Sequence, residues 1–436
     1  MNNCIGIRRE NKYPTERRAP LTPGQVQKLV DNYHIRVLVE PSERRIFRED
    51  EYRAAGAEIS ADLSDCNIIF GVKEIPLPDL HPHQAYCFFS HTIKAQPYNM
   101  PMLKHITEQG ISLLDYELVT NRQGRRQIFF GNFAGYAGMI DSLWALGQRL
   151  AAEGIDTPFL EIQPAYLYDT LDAAMEAIKH VGNHIRTRGL PEQLSPLICG
   201  FSGYGQVSKA AQKIFELLPT LKLSPDELSD FVERGQFSNH TLYSVEFYEK
   251  DMFEPRDPAA EFDLPDYFAH PEKYSSKFEP YIPYLTLLIN GIFWTPQCPR
   301  LVTKAYLKDL FRQSGQPRLR VLGDISCDIE GSIEATVKAT KSDNPVYVYD
   351  PETDSARDGV SGRGPVVMAI DILPAELPRE ATEFFGNALM FYIPALAAAD
   401  FTQASGQLAL PADFQKALIV HNGQLARDFR YLDDHL

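Results

Sequence analysis

Leu197-Ile198-Cys199-Gly200-Phe201-Ser202-Gly203-Tyr204-Gly205-Gln206-Val207-Ser208-Lys209-Ala210 is the stretch on which the reading of the whole chain turns. An apolar run, Leu197 to Cys199, enters a glycine-studded turn. A helical pattern of Val207, Ala210, Ala211, Ile214, Phe215 and Leu218 leaves it. Strand, tight turn and helix in that order bring backbone N–H groups and a helix N-terminus against a pyrophosphate. Gly203 and Gly205 lack the Cβ that would block close approach or a positive φ. The match to G-x-G-x-x-G is partial, because Ser208 stands where the third glycine would be and Gly200 falls early. A plain strand–helix turn has the same local pattern, so the surrounding sequence has to decide.

Working outward, 436 residues are too many for one ordinary core and predict two domains. Hydrophobic residues at 44% and charged residues at 23% match an ordinary globular composition. A net charge of −15 argues against nucleic acid as the main partner, although an anionic substrate would still need a local basic pocket. The six cysteines, Cys4, Cys66, Cys87, Cys199, Cys298 and Cys327, form no C-x-x-C pair. They read as reduced thiols of a cytoplasmic protein, with no disulfide framework and no metal site. No basic-then-apolar leader opens the chain. The longest apolar stretch, Leu285–Trp294, is too short to span a membrane.

Taken in order, Cys4–Ile7 reads as a first strand and leads into a segment carrying Arg8, Arg9, Lys12, Arg17 and Arg18. Thr22-Pro23 should start a helix, with threonine as cap and proline at the first position. Ile35–Val39 reads as a strand and Glu51–Ala57 as a helix. Three more strands follow at Asn67–Phe70, Tyr86–Phe89 and Ile111–Leu114. Each ends on chemistry-bearing residues: Lys73, then His91, then Asp115 and Glu117. In parallel α/β sheets ligands sit outside the carboxyl ends of strands, so three such ends together are a stronger signal than any one residue. Each alone has a bland reading as a solvated lysine, a structural histidine or a cap.

From Phe133 the apolar residues Ala137, Ile140, Leu143, Leu146 and Leu150 recur at helical spacing, a long helix suited to pass between domains over 133–153. A helix over Asp169–Val181 precedes the glycine turn. Leu221–Leu223 is a candidate second strand of the nucleotide fold. Further strands are expected at Thr241–Tyr248, Tyr284–Gly291, Arg320–Ile325, Pro345–Tyr349 and Pro365–Ile370, and helix over Pro378–Leu396. The polar, proline-rich span from Pro255 to Lys277 reads as a surface excursion. The pattern predicts an α/β protein of two Rossmann-like domains with parallel sheets and an intervening cofactor cleft. The expected boundaries are 1–135 plus about 373–436 for a substrate domain and 150–372 for a dinucleotide-binding domain.

Several segments go beyond general patterns. Arg8–Pro23 (RRENKYPTERRAPLTP), Phe70–Pro76 (FGVKEIP), Phe88–Gln96 (FFSHTIKAQ), Gly131–Asp141 (GNFAGYAGMID), Leu288–Trp294 (LINGIFW), Gly323–Glu334 (GDISCDIEGSIE) and Ile370–Gly386 (IDILPAELPREATEFFG) occur together and in this order. With these segments the chain resembles the lysine–ketoglutarate reductases, that is, lysine-forming saccharopine dehydrogenases, including the reductase half of aminoadipic semialdehyde synthase. The resemblance implies an alanine-dehydrogenase-like architecture and a reversible reaction in which lysine, 2-oxoglutarate and a reduced nicotinamide cofactor give saccharopine. Ending near residue 436, the chain is expected to perform that step alone and to leave saccharopine cleavage to a separate enzyme.

The resemblance also implies site residues. The family's acid–base pair falls on Lys73 and His91, with the assignment of each to the amine proton or the carbinolamine oxygen open to exchange. Histidine is the side chain that titrates near neutrality, whereas a lysine in this role needs burial or a nearby cation such as Arg18. Arg18, Lys94, Arg125 and Arg126 are the cations expected on the substrate carboxylates, and Glu117 the carboxylate for an ammonium group. For Arg125-Arg126 a solvated hairpin tip is the bland alternative. Gly203, Tyr204, Gly205, Gln206 and Ser208 should lie along the pyrophosphate, with Asn290, Gly291, Ile292 and Asp328 further along the cofactor. The acidic residue that would mark NAD is not obvious after Leu221–Leu223, and the animal likeness favours NADPH with NADH possible. Two alternatives stay open: a related amino-acid dehydrogenase with another amine or keto acid, and a nicotinamide-binding regulator without chemistry.

Overall fold

The computed structural model describes residues 3–314, 316–404 and 406–436. The chain divides into two compact units, Met1–Phe130 with Pro378–Leu436, and Gly131–Leu377.

The first unit is built on β1 (Cys4–Ile7), β2 (Arg36–Val39), β3 (Glu58–Ile59), β4 (Ile68–Phe70), β5 (Ala85–Phe88) and β6 (Ser112–Asp115), with two strands from the chain end, Leu418–His421 and Gln424–Leu425. Across the sheet the order is Gln424–Leu425, Leu418–His421, β6, β5, β4, β1, β2, β3. Strands β1 to β6 run parallel, and β1, β4, β5 and β6 are buried along their whole length, which is why they are mostly apolar runs without alternation, whereas β3 at the edge is not buried. Leu418–His421 is antiparallel to β6, so the sheet is mixed and not wholly parallel as expected. A strand arriving from the chain end can join the free edge of β6 in either sense, because no crossover helix dictates its direction. The helix Pro23–Tyr33 begins as the sequence implies. Thr22 caps it, Pro23 takes the first turn, and Gln25 closes a capping box. Gln25 also donates to the Glu383 carbonyl at 3.0 Å and to Asn387 Oδ1 at 2.9 Å, tying the helix Pro378–Met390 to this unit.

The second unit holds β7 (Ile198–Ser202), β8 (Thr220–Leu223), β9 (Leu242–Phe247), a short pair β10 (Phe253–Pro255) and β11 (Tyr274–Ser276), then β12 (Leu287–Asn290), β13 (Val321–Asp324), β14 (Val346–Asp350), β15 (Ser355–Asp358) and β16 (Val366–Met368). Its large sheet is ordered β15, β14, β16, β13, β12, β7, β9, β8. It too is mixed, since β14 runs antiparallel to both β15 and β16. Leu221–Leu223 does fall in a strand, but β8 is the edge, and β9 is the strand beside β7. The reason is burial. The exposed Leu221 and Lys222 suit an edge, whereas Leu242, Val245 and Phe247 are fully buried. The span Pro255–Lys277 is not a mere surface excursion. It contains the helix Leu264–Ala269 and β11, and it buries Tyr267 and Tyr274.

The long helix spans Gly131–Ala152 and belongs to the second unit. It packs on the helix Gln206–Phe215 through Gly135, where any Cβ would run into the Val207 carbonyl oxygen. Further along, its Asp141 meets Glu376, both buried. Burial raises both carboxyl pKa values, Glu376 well above the ordinary range, so the pair retains a proton. Among the described residues no helix is long and apolar enough to cross a membrane.

Candidate active site

In the first unit the carboxyl ends of β6, β5, β4 and β1 lie side by side, and the residues just beyond them come together. Beyond β1, the Glu10 carboxylate accepts the backbone N–H of Val72 at 2.7 Å and of Lys73 at 3.0 Å, which fixes the turn carrying Lys73. Burial raises the Glu10 pKa against the pull of Arg8. Beyond β5, Ser90 N–H donates to Asp115 Oδ2 at 2.9 Å, and Glu117 N–H to Asp115 Oδ1 at 2.7 Å, so one buried carboxylate sets the starts of two loops. His91 has φ +50°, a left-handed conformation held by Asn99 Nδ2 donating to its carbonyl at 3.1 Å.

Glu74 is the hub, and the sequence reading missed it. Its Oε1 lies 2.8 Å from His91 Nδ1 and 2.7 Å from Lys12 Nζ. Burial pushes the Glu74 carboxyl up, but the hydrogen bonds from His91 and Lys12 win and bring it down to about 2. Lys12 and Lys73 both approach the Tyr13 ring, at 5.2 and 5.9 Å from its centroid. Lys73 and His91 are therefore linked through Tyr13, Lys12 and Glu74.

Arg18 is buried and donates through Nε and Nη2 to Glu16 at 2.8 and 2.6 Å, with its guanidinium over the Phe130 ring at 4.3 Å. Burial opposes the Glu16 charge, yet Arg18, helped by Lys73, keeps the carboxyl below its ordinary value. The Arg18 cation thus arrives with its own counter-charge, a second partner the sequence reading did not supply. Arg126 stacks over Phe89 at 5.2 Å and lies 3.8 Å from Glu117 Oε1, while Phe89 stacks on His91 at 6.2 Å. Burial lowers the Arg126 pKa, with Glu117 pulling the other way. Arg125 and Lys94 are exposed, on the 121–126 turn and just past His91, and no side-chain contact among the described residues joins them to the group. The signal for Glu74 and Glu16 was present in the sequence as acids beside expected cations. Such neighbours usually are solvated pairs, and only the fold turns them inward.

In the second unit β7 ends at Ser202, and Gly203 takes φ +83° while its N–H donates to the Phe247 carbonyl at 3.0 Å. A Cβ on Gly203 would come within 2.9 Å of Ile292 Cγ2, whereas one on Gly205 would meet nothing within 4 Å. Gly205 begins the helix Gln206–Phe215, whose first turn has no side-chain cap. Its N–H groups are left for an anion. Tyr204 is half-buried, Gln206 exposed and Ser208 buried. Gly291 packs against Ser208 across the turn. Asn290 is buried, accepts from Ser202 Oγ at 2.7 Å, and its amide nitrogen has Asp324, Ser326 and Ser332 within 2.7–2.8 Å, so its polar atoms are used inside the protein. Asp328 stands in the turn beyond β13, where Gly331 N–H donates to its carbonyl at 2.9 Å. A cavity of about 400 Å³ opens beside the glycine turn, with Tyr204, Glu249, Tyr267, Ile292 and Phe293 in its wall. An uncapped helix start, an open Gly205 and an aromatic cavity fit a dinucleotide. A larger cavity, about 660 Å³, lies in the first unit at the amino ends of β4 and β5, among Asn67, His83 and Gln84, away from every expected residue. Among the described residues no cluster of three or more His, Cys, Asp or Glu is placed to hold a metal.

Residues 6–137 match the family model described as alanine dehydrogenase/PNT, N-terminal domain. The chain is 40% identical over 446 residues to alpha-aminoadipic semialdehyde synthase of Arabidopsis thaliana, covering 99% of this chain and 41% of that one. It therefore spans less than half of that relative's length. It is 27% identical over 405 residues to the saccharopine dehydrogenase [NAD(+), L-lysine-forming] of Emericella nidulans, covering 89% and 91% of the two chains. Among solved structures it resembles an L-alanine dehydrogenase, with a TM-score of 0.62, 18% identity and coverage of 99% and 100%, a likeness of fold.

Proposed function

We propose, from its likeness to the alpha-aminoadipic semialdehyde synthases and lysine-forming saccharopine dehydrogenases, that the chain condenses L-lysine with 2-oxoglutarate and reduces the imine to saccharopine. Lysine, 2-oxoglutarate, a reduced nicotinamide dinucleotide and a proton give saccharopine, water and the oxidised dinucleotide. When bound, the nicotinamide supplies the hydride taken up by the imine carbon.

The lysine ε-amine must lose a proton to attack the keto carbon, and the carbinolamine oxygen must gain one to leave as water. His91 moves the first proton and Lys73 the second, or the two exchange roles. Glu74 holds the imidazole in one orientation through Nδ1, which leaves Nε2 for the substrate. Arg126 and Arg18 face the carboxylates of the keto acid and product, with Lys94 and Arg125 at the outer edge, and Glu117 takes an ammonium. The Gly203–Ser208 turn holds the pyrophosphate, with Ile292 and Asp328 further along. The dinucleotide is NADPH, as the animal likeness suggests, or NADH. A cytoplasmic setting with reduced thiols is part of the same proposal, supported by six free cysteines.

The observation that carries this reading is the Glu74 carboxylate joined to Lys12 and His91, beside Lys73, at neighbouring strand ends. The test is NADH and NADPH consumption with lysine and 2-oxoglutarate, with the product identified by mass. Turnover with another amine or keto acid and none with this pair would sink it.

A further inference from the structure

The sheet order of the second unit changes which residue stands where a dinucleotide-binding fold reads the adenosine ribose. In that fold the strand beside the glycine-turn strand ends next to the ribose, and an acidic residue there hydrogen-bonds the 2′-hydroxyl. Read along the sequence, that strand would be β8, which leads only to Ser224 and Pro225. In the structure it is β9, paired with β7 residue for residue from Ile198↔Tyr243 to Ser202↔Phe247. Beyond Phe247 comes Tyr248 and then Glu249, at the start of the helix Glu249–Met252.

Glu249 lines the 400 Å³ cavity with Gly203, Tyr204 and Gly205 on one side and Gly291 and Ile292 on the other. Tyr204, in the same cavity wall, stacks its ring on Tyr248 with centroids 4.8 Å apart and 27° between planes. No lysine or arginine lines the cavity among the described residues. Lys222, on the edge strand β8, is held by Glu246 at 2.7 Å. A 2′-phosphate needs a cation here and would meet a carboxylate instead.

We propose that Glu249 selects the dinucleotide, accepting the ribose 2′-hydroxyl and excluding the 2′-phosphate, so that the chain uses NADH in preference to NADPH. The proposal rests on reading the Gly203 turn as a dinucleotide site, and it opposes the NADPH preference suggested by the animal likeness. It assigns to Glu249 a role in selection and none in the proton transfers at Lys73 and His91.

The test is equilibrium binding to the whole chain without substrates, at one fixed ionic strength. The ligands are NADH and NADPH, followed by ADP-ribose and its 2′-phosphate. The expected result is at least about tenfold tighter binding of NADH, the same order within the ADP-ribose pair, and a ratio about tenfold smaller in Glu249→Gln. Glu249→Arg should reverse the order. If NADPH binds as tightly as NADH to the wild type, or if Glu249→Gln leaves the ratio unchanged, the selection is wrong while the dinucleotide site stands. If the wild type binds neither dinucleotide, the reading of the turn fails and the selection with it.

Discussion

Nδ1 of His91 lies 2.8 Å from Oε1 of Glu74, and that carboxylate is held ionised, down to about pH 2, inside a mostly buried site. A carboxyl whose folded pKa lies below its unfolded value adds stability above the unfolded pKa, and this stability disappears as pH falls through the folded one. Glu74→Gln should therefore lower stability most above about pH 4.5, by at most about 3 kcal/mol, with the gap to wild type closing toward about pH 2. Urea midpoints of both proteins across that acid range check this. A gap independent of pH would mean that Glu74 contributes packing and not charge.

Lys73→Met and His91→Gln should each keep dinucleotide binding and lose about 10²-fold or more in kcat. Binding is read by titration with NADH and turnover by mass detection of saccharopine. A regulator without chemistry would show wild-type behaviour in both variants.

The Glu16–Arg18 pair is buried, with both partners within 2.8 Å. Arg18→Met strands an uncompensated carboxylate and should cost about 3–5 kcal/mol. The double variant Glu16→Leu/Arg18→Met should recover most of that loss. Denaturant unfolding of the three proteins decides it, and a double variant as unstable as the single one contradicts the account.

Asp141 and Glu376 carry the opposite sign. Burial raises both folded pKa values, so the stability they add is complete below the unfolded carboxyl pKa and drains away as pH rises through the folded values. Glu376→Gln removes one ionisation and should flatten the loss of stability over the interval above the ordinary carboxyl range. Unfolding midpoints measured over that interval give the comparison, and parallel curves for the two proteins would contradict it.

Gly203→Ala places a side chain at φ +83° and within 2.9 Å of Ile292, and should destabilise by about 1–2 kcal/mol as well as weaken dinucleotide binding. Gly205→Ala meets no atom and should cost less than about 1 kcal/mol while still weakening binding, because it faces the ligand side. Equal stability losses in the two variants would overturn the distinction.

The sequence made the central strands of both sheets legible because buried parallel strands are mostly apolar runs, and Lys73, His91 and Glu117 stand just past such runs, whereas the outer strands β3, β15, Leu418–His421 and Gln424–Leu425 went unread. What it hid was partnership across elements. Glu74 acquires its role when Lys12 beyond β1 and His91 beyond β5 converge on it, which no local pattern records. Strand order was hidden for the same reason. β8 comes first along the chain, but the exposed Leu221 and Lys222 on it belong at an edge, and the crossover places β9 inside. The Pro255–Lys277 span misled because its prolines and charges outweigh Tyr267 and Tyr274, the residues that anchor it.

Asn290 ties the tip of β7 to β12, to the end of β13 and to Ser332 through one amide. The ground beneath the glycine turn is therefore already ordered when the chain finishes folding. A ligand arriving there has little backbone entropy left to remove, and its affinity reflects contacts made more than motion quenched. Replacing Asn290 with alanine would return that disorder to the moment of association, so the loss should show in the entropy of binding measured by calorimetry.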